Sequence, residues 1–192
     1  MRGFELSVPT QVVFGRGRVG ELGKLLGDRF ERVLVVTDKG VVAGSGAVDR
    51  VTEQLANRHV EVFSEIEPNP SFATVLEAAG RAREAEVDVV VGVGGGSPMD
   101  AAKGVALLAT DPEAMTCIQG GDPPRRRPLP VVCIPTTSGT GSEVTPYAVF
   151  TDPDGEVKVG YAHEQLYPLL AIVDSELAWS MPEKVIVDTG LD

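Results

Sequence analysis

Gly92-Val93-Gly94-Gly95-Gly96-Ser97-Pro98-Met99-Asp100 puts backbone freedom, a hydroxyl and a carboxylate into nine consecutive residues. Glycines at the end of a strand let the main chain take conformations closed to other residues and let a diphosphate approach it closely. Ser97 is a favourable N-cap, Pro98 suits the first helical position, and Asp100 three residues after the cap completes a capping-box-like pattern. A helix is therefore predicted to open here, with its unpaired N–H groups and positive dipole end facing any anion in the turn. A tight turn that merely packs a helix on a sheet has the same glycine count, so the glycines alone leave both readings open. The order of features also differs from the common dinucleotide fingerprint, in which an acidic ribose ligand follows the glycine turn. Here the acid candidate, Asp38, precedes it.

A second stretch, Pro135-Thr136-Thr137-Ser138-Gly139-Thr140-Gly141-Ser142-Glu143-Val144-Thr145, carries six hydroxyl side chains. It reads either as a polar loop or as a ligand-facing loop whose hydroxyls and free N–H groups meet ribose and phosphate oxygens. Its place directly after an apolar run favours the second reading. Other chemistry is poorly supplied. Cys117 and Cys133 have no neighbouring histidine or second pair, which argues against a metal knuckle or disulfide framework and makes a reducing cytoplasm the expected compartment. The net charge of -11 offers no basic surface to offset nucleic-acid phosphates, and Arg125-Arg126-Arg127 sits in a proline-rich loop as a solvated tip. Neither an export leader nor an apolar run long enough for a membrane is visible.

The elements that must position these residues follow from periodicity. Arg32 to Thr37, Val87 to Val93 and Val131 to Ile134 are short apolar runs of the kind buried on both faces of a sheet. Phe4 to Gly15 suggests a strand and a turn, Val60 to Phe63 alternates like a strand, and Leu169 to Val173 suggests a last one. Between them, Leu22, Leu25 and Leu26, then Val48, Val51 and Leu55, then Val75, Leu76 and Ala79 fall at helical spacing, with Ser71 as a cap for the third helix. A glycine-rich bend is expected before Val48, and Pro68-Asn69-Pro70 makes a rigid turn. Thr110 to Pro130 reads as a surface excursion, Tyr147 to Thr151 with Val157 to Tyr161 as a hairpin through Asp152-Pro153-Asp154-Gly155, and Pro182 as the start of a helical segment. Alternating strands and helices predict an α/β fold, a Rossmann-like, mostly parallel sheet with helices on both faces. Ligands of such sheets lie at the carboxyl ends of the strands, where Asp38, Asn69 and the glycine turn fall.

The two motifs taken together resemble those of the iron-containing (group III) alcohol dehydrogenases, as do Thr37-Asp38-Lys39-Gly40, Pro68-Asn69-Pro70 and the closing Met181-Pro182 to Asp192. The resemblance covers the whole chain. It implies NAD(P)-dependent interconversion of a small alcohol with an aldehyde or ketone, with residues 1–180 as the nucleotide-binding domain. Residues 181–192 would begin the family's all-helical metal-binding domain, the rest of which the chain lacks. By matching position, Gly95, Gly96 and Ser97 would bind the pyrophosphate and Asp38 the adenosine ribose. Asn69, Thr136, Thr137, Thr140 and Lys158 would line the rest of the groove, with Asp100 counted in the same set. A carboxylate at position 38 would repel the extra phosphate of NADP, so NAD is the expected cofactor. The plainer reading of Asp38 is a capping or turn aspartate. The resemblance also implies Fe2+ or another divalent metal, held by an aspartate, a histidine four residues on and two further histidines. Asp192 matches that aspartate, whereas His59 and His163 match no ligand, and one carboxylate cannot hold a catalytic metal. An isolated nucleotide-binding module without its own activity is the alternative expectation. The full-length form is expected to be a homo-oligomer.

Overall fold

Short runs rich in β-branched residues become the strands of one sheet in the computed structural model, which describes residues 7–151 and 157–190, and the central ones are buried almost throughout. In chain order the elements are β1 (Gln11–Phe14), α1 (Leu22–Leu26), β2 (Arg32–Val36), α2 (Lys39–Gly44), α3 (Ala47–Gln54), β3 (His59–Phe63), α4 (Phe72–Glu84), β4 (Val89–Gly94), α5 (Gly96–Thr110), α6 (Ala114–Gln119), β5 (Val131–Pro135), β6 (Tyr147–Thr151), β7 (Lys158–Ala162), β8 (Leu170–Val173) and α7 (Glu183–Gly190). Six strands form one sheet in the order β1-β8-β5-β4-β2-β3, parallel at every junction. β6 and β7 form a separate antiparallel pair. The residues predicted to join that hairpin, Asp152 to Gly155, lie outside the described set.

Side chains alternate across the sheet into two cores. Leu34, Val36 and Val90 face Val75, Ala78, Ala79 and Ala82 of α4 and Met99, Ala102 and Val105 of α5. Val33, Val35, Val89 and Val91 face Leu22 and Leu26 of α1 and Ala47 and Val51 of α3. After β2 the chain therefore departs on one side of the sheet and after β4 on the other. That reversal opens a crevice between the carboxyl ends of β2 and β4, where open α/β sheets bind their ligands.

Several local expectations need correction. The bend before Val48 is the short helix α2, capped by Asp38, whose Oδ1 accepts from Val41 N at 2.9 Å. In α4 the buried stripe is Val75, Ala78, Ala79 and Ala82, while Leu76 is 39% exposed. Alanines fit where two helices press together, and α4 packs directly on α5. The excursion from Thr110 to Pro130 is not all surface loop: α6 folds within it and buries Ala114 and Met115 against the core. Buried Asp111 braces it by accepting from Glu113 N and Arg125 N. Arg125 pairs with Glu113 on the exposed side, which leaves the arginine run a tip as expected.

Candidate functional site

The glycine turn does open a helix, but two residues earlier than the capping pattern predicts. Gly95, not Ser97, is the N-cap of α5, and it makes no side-chain cap bond. Gly94 reaches that geometry with φ of 145°, a region side-chain-bearing residues rarely adopt, and a Cβ there would lie 2.7 Å from Pro98 Cγ. Pro98 still sits in the first turn, where no N–H is needed. The capping box is thus absent, and both of its residues turn to other partners.

Ser97 Oγ accepts from Asn69 N at 3.2 Å, tying the Pro68-Asn69-Pro70 turn to the start of α5. Asn69 holds φ of 57°, which asparagine tolerates better than most residues. Its carbonyl accepts from Thr151 Oγ1 at 3.1 Å, so the hairpin is fastened to the same turn. Asp100 accepts from Ser142 Oγ at 2.5 Å through Oδ1 and from Val149 N at 3.0 Å through Oδ2. Burial raises its carboxyl above the usual range, against the lowering effect of Ser142 and the Lys103 ammonium. One helical turn later the fully buried Lys103 donates to Ser142 Oγ at 2.8 Å, to Thr145 O at 3.0 Å and to Tyr147 O at 2.6 Å. Burial draws its ammonium down from the ordinary lysine value. Sequence reasoning gave Lys103 no role. A lysine in an otherwise small, apolar helix marks a buried charge, but its acceptors lie about forty residues away in sequence.

The hydroxyl loop lies over the glycine turn. Thr136 N donates to Gly94 O at 2.9 Å. A Cβ on Gly95 would come within 3.2 Å of Thr137 Oγ1, and one on Gly96 within 3.0 Å of Thr140 Cγ2, so any side chain there would occupy the cradle. Two adjoining clefts result. A larger one of about 1150 Å³ is lined by Asp38, Asn69, Gly95, Gly96, Ser97, Thr136 and Thr137, with Val185, Asp188 and Thr189 of α7 as its far wall. The second, about 350 Å³, shares Asn69, Gly96 and Ser97 and adds Asp100, Thr140, Tyr147 and Lys158. Every residue expected from the sequence to meet a cofactor lines one or the other.

Chemically the groove suits a dinucleotide. A carboxylate stands at one end, a side-chain-free turn with a helix N-terminus in the middle, and hydroxyls with a lysine at the other end. Asp38 is the capping aspartate of the plainer reading, with Oδ1 spent on the α2 cap, while Oδ2 lies at the glycine turn, 3.3 Å from where a Cβ on Gly94 would stand. Lys39, which lines the same cleft, is engaged by Glu65 at 2.6 Å. Asp192 lies outside the described residues. Among the described residues no group of three or more His, Cys, Asp and Glu side chains is placed to hold a metal ion, and no helix is long and apolar enough to cross a membrane.

A family model described as iron-containing alcohol dehydrogenase matches residues 9–175. A 4-hydroxybutyrate dehydrogenase of Cupriavidus necator is 42% identical over 167 residues, which cover 85% of this chain and 43% of that protein. An NADPH-dependent butanol dehydrogenase of Clostridium saccharobutylicum is 36% identical over 192 residues, covering 97% of this chain and 48% of that protein. The crystal structure of NADH-dependent butanol dehydrogenase A from Thermotoga maritima is 31% identical with a TM-score of 0.91, over 100% of this chain and 49% of that one. The chain therefore spans about half the length of the curated relatives it matches.

Proposed function

This chain belongs to the iron-containing alcohol dehydrogenase family, and on that premise we propose that it supplies the NAD-binding part of an oxidoreductase interconverting a small alcohol and its aldehyde or ketone. The observation that carries this reading is the convergence of Asp38, Asn69, the glycine turn, the hydroxyl loop and Lys158 on one groove at the crevice between β2 and β4. Residues 1–180 form the nucleotide-binding unit in this reading, and residues 181–192 open the metal-holding one.

The nicotinamide cofactor supplies the hydride acceptor when bound. The main-chain N–H groups of Gly96 and Ser97, at the first turn of α5, meet its pyrophosphate. Asp38 Oδ2 accepts from the adenosine ribose, and Asn69, Thr136 and Thr137 line that half of the groove. Thr140 and Lys158 flank the half that takes the nicotinamide. Relatives named for NADH and for NADPH both match the chain, so family membership does not decide between the two. The charge lining the groove supports NAD. Among the described residues, Asp38, Glu65, Glu67 and Asp188 line the larger cleft with Lys39 as its one cation, and Lys39 is already paired. A second phosphate on the ribose would be repelled. Asp192 is the proposed metal ligand from this chain.

Titration with NADH and with NADPH, followed by nicotinamide fluorescence and by heat, tests the reading. Saturable NADH binding with weaker NADPH binding supports it; binding of neither overturns it.

A further inference from the structure

Lys103 lines neither cleft, yet it meets the segment that walls the second one at three points. Its Nζ takes Ser142 Oγ at the exit of the hydroxyl loop, Thr145 O in the connection and Tyr147 O at the first residue of β6. All three ammonium hydrogens are thereby used, inside a site with no exposed surface. Asp100, three residues earlier on the same face of α5, lies 3.8 Å away and accepts from Ser142 Oγ and Val149 N. Segment 142–149 has no pairing with the main sheet, and its own partner strand is β7. Its position over α5 is therefore set by these side-chain bonds together with the packing of Ala148 and Phe150 in the core, not by a ladder to the main sheet. The other end of the loop is fixed independently, by Thr136 N on Gly94 O at the end of β5.

We infer that Lys103 is a positioning residue for cofactor binding: it holds the hydroxyl-loop exit and β6 on the phosphate-facing helix and so shapes the nicotinamide half of the groove while leaving the adenosine half alone. The inference rests on the groove being a dinucleotide site. Asp38, Gly95, Gly96, Thr136 and Thr137 stand on β2, β4 and β5 or directly after them, so the adenosine half is fixed by the sheet without the lysine.

The test titrates the chain and its Lys103→Met variant with NADH, read by nicotinamide emission, and with ADP, read by heat. Methionine keeps the length and the burial and removes the donors. NADH affinity is expected to fall at least about tenfold, the scale of losing hydrogen bonds made by a charged group. The emission change on binding should shrink, and ADP affinity should stay within about twofold. Equal losses of NADH and ADP would reduce Lys103 to general support of the fold, and no loss of either would leave it no part in binding; both overturn the inference. A parent chain that binds neither ligand removes the dinucleotide reading first. Should the methionine variant not fold, Ser142→Ala removes one acceptor of the three and is expected to give the same split at roughly threefold. An unchanged NADH-to-ADP ratio in that variant overturns the inference as well.

Discussion

In the proposed reading Asp38 has two jobs, and one substitution separates them. Its Oδ1 caps α2 through Val41 N at 2.9 Å, and its Oδ2 faces the glycine turn. Asp38→Ser keeps a capping oxygen, since serine and aspartate are near-equal N-caps, but removes the charge. Stability should therefore stay within about 0.5 kcal/mol by urea denaturation. The repulsion removed is roughly 1–2 kcal/mol, between the bulk-water and protein-surface limits for charges a few ångströms apart, or about tenfold in affinity. The ratio of NADPH to NADH affinity is expected to rise by about that factor in paired titrations. A Ser variant that loses stability and keeps its cofactor preference would make Asp38 a cap and nothing more.

At the scale of elements, α5 carries the site on its first turn and the hairpin on its middle. At Gly104 the hairpin presses directly on α5: an added Cβ would stand 2.6 Å from Phe150 Cζ and 2.8 Å from Val75 Cγ1 of α4. Alanine is better than glycine in a helix by about 1 kcal/mol, which alone would make Gly104→Ala stabilising. Overpacking against a ring and a β-branched side chain costs about 1–3 kcal/mol, and both are walled in, Phe150 at 2% exposure and Val75 at none. The steric cost is expected to win by about 1 kcal/mol, lowering the urea midpoint of the variant. The elements themselves were largely legible in the sequence, because strands buried on both faces are continuous apolar runs and the helices between them keep their period. What escaped was local competition for polar groups. Ser97 is a good cap by type, but its hydroxyl serves Asn69 N, and Gly95, two residues before it, takes the cap position. α6 was hidden by flanking prolines, although Ala114, Met115 and Ile118 are helically spaced and face the core. Lys103 could be recognised only as a buried charge, since nothing in α5 names partners that fold back from the next loop and strand.

The whole molecule places a parallel sheet between two apolar layers, which seals the strand centres and leaves only their carboxyl ends for chemistry. Cys133 sits at the middle of that seal on β5, in register with Gly92 on one side and Ala171 on the other, with no exposed surface. Burial pushes its thiol up to about 12 from 9.0; the Lys103 ammonium pulls the other way, and Glu143 and Asp100 add to the rise. The unfolded chain therefore begins to lose this proton near pH 9.0 while the folded chain keeps it to about 12. In that window the unfolded state binds fewer protons, so stability falls as pH rises. Lys103 acts with the opposite sign, because its lowered folded value makes the unfolded state the better proton binder below the ordinary lysine range. Comparison with Cys133→Ala isolates the thiol. That variant is expected to be weaker by about 1 kcal/mol at neutral pH, from the small cavity it leaves. Between about pH 8 and about pH 10 the parent should lose about 1.3 kcal/mol more than the variant, read as the difference between their urea unfolding free energies. Parallel curves would mean that water reaches the centre of β5, and that the strand middles are not sealed as the two cores require.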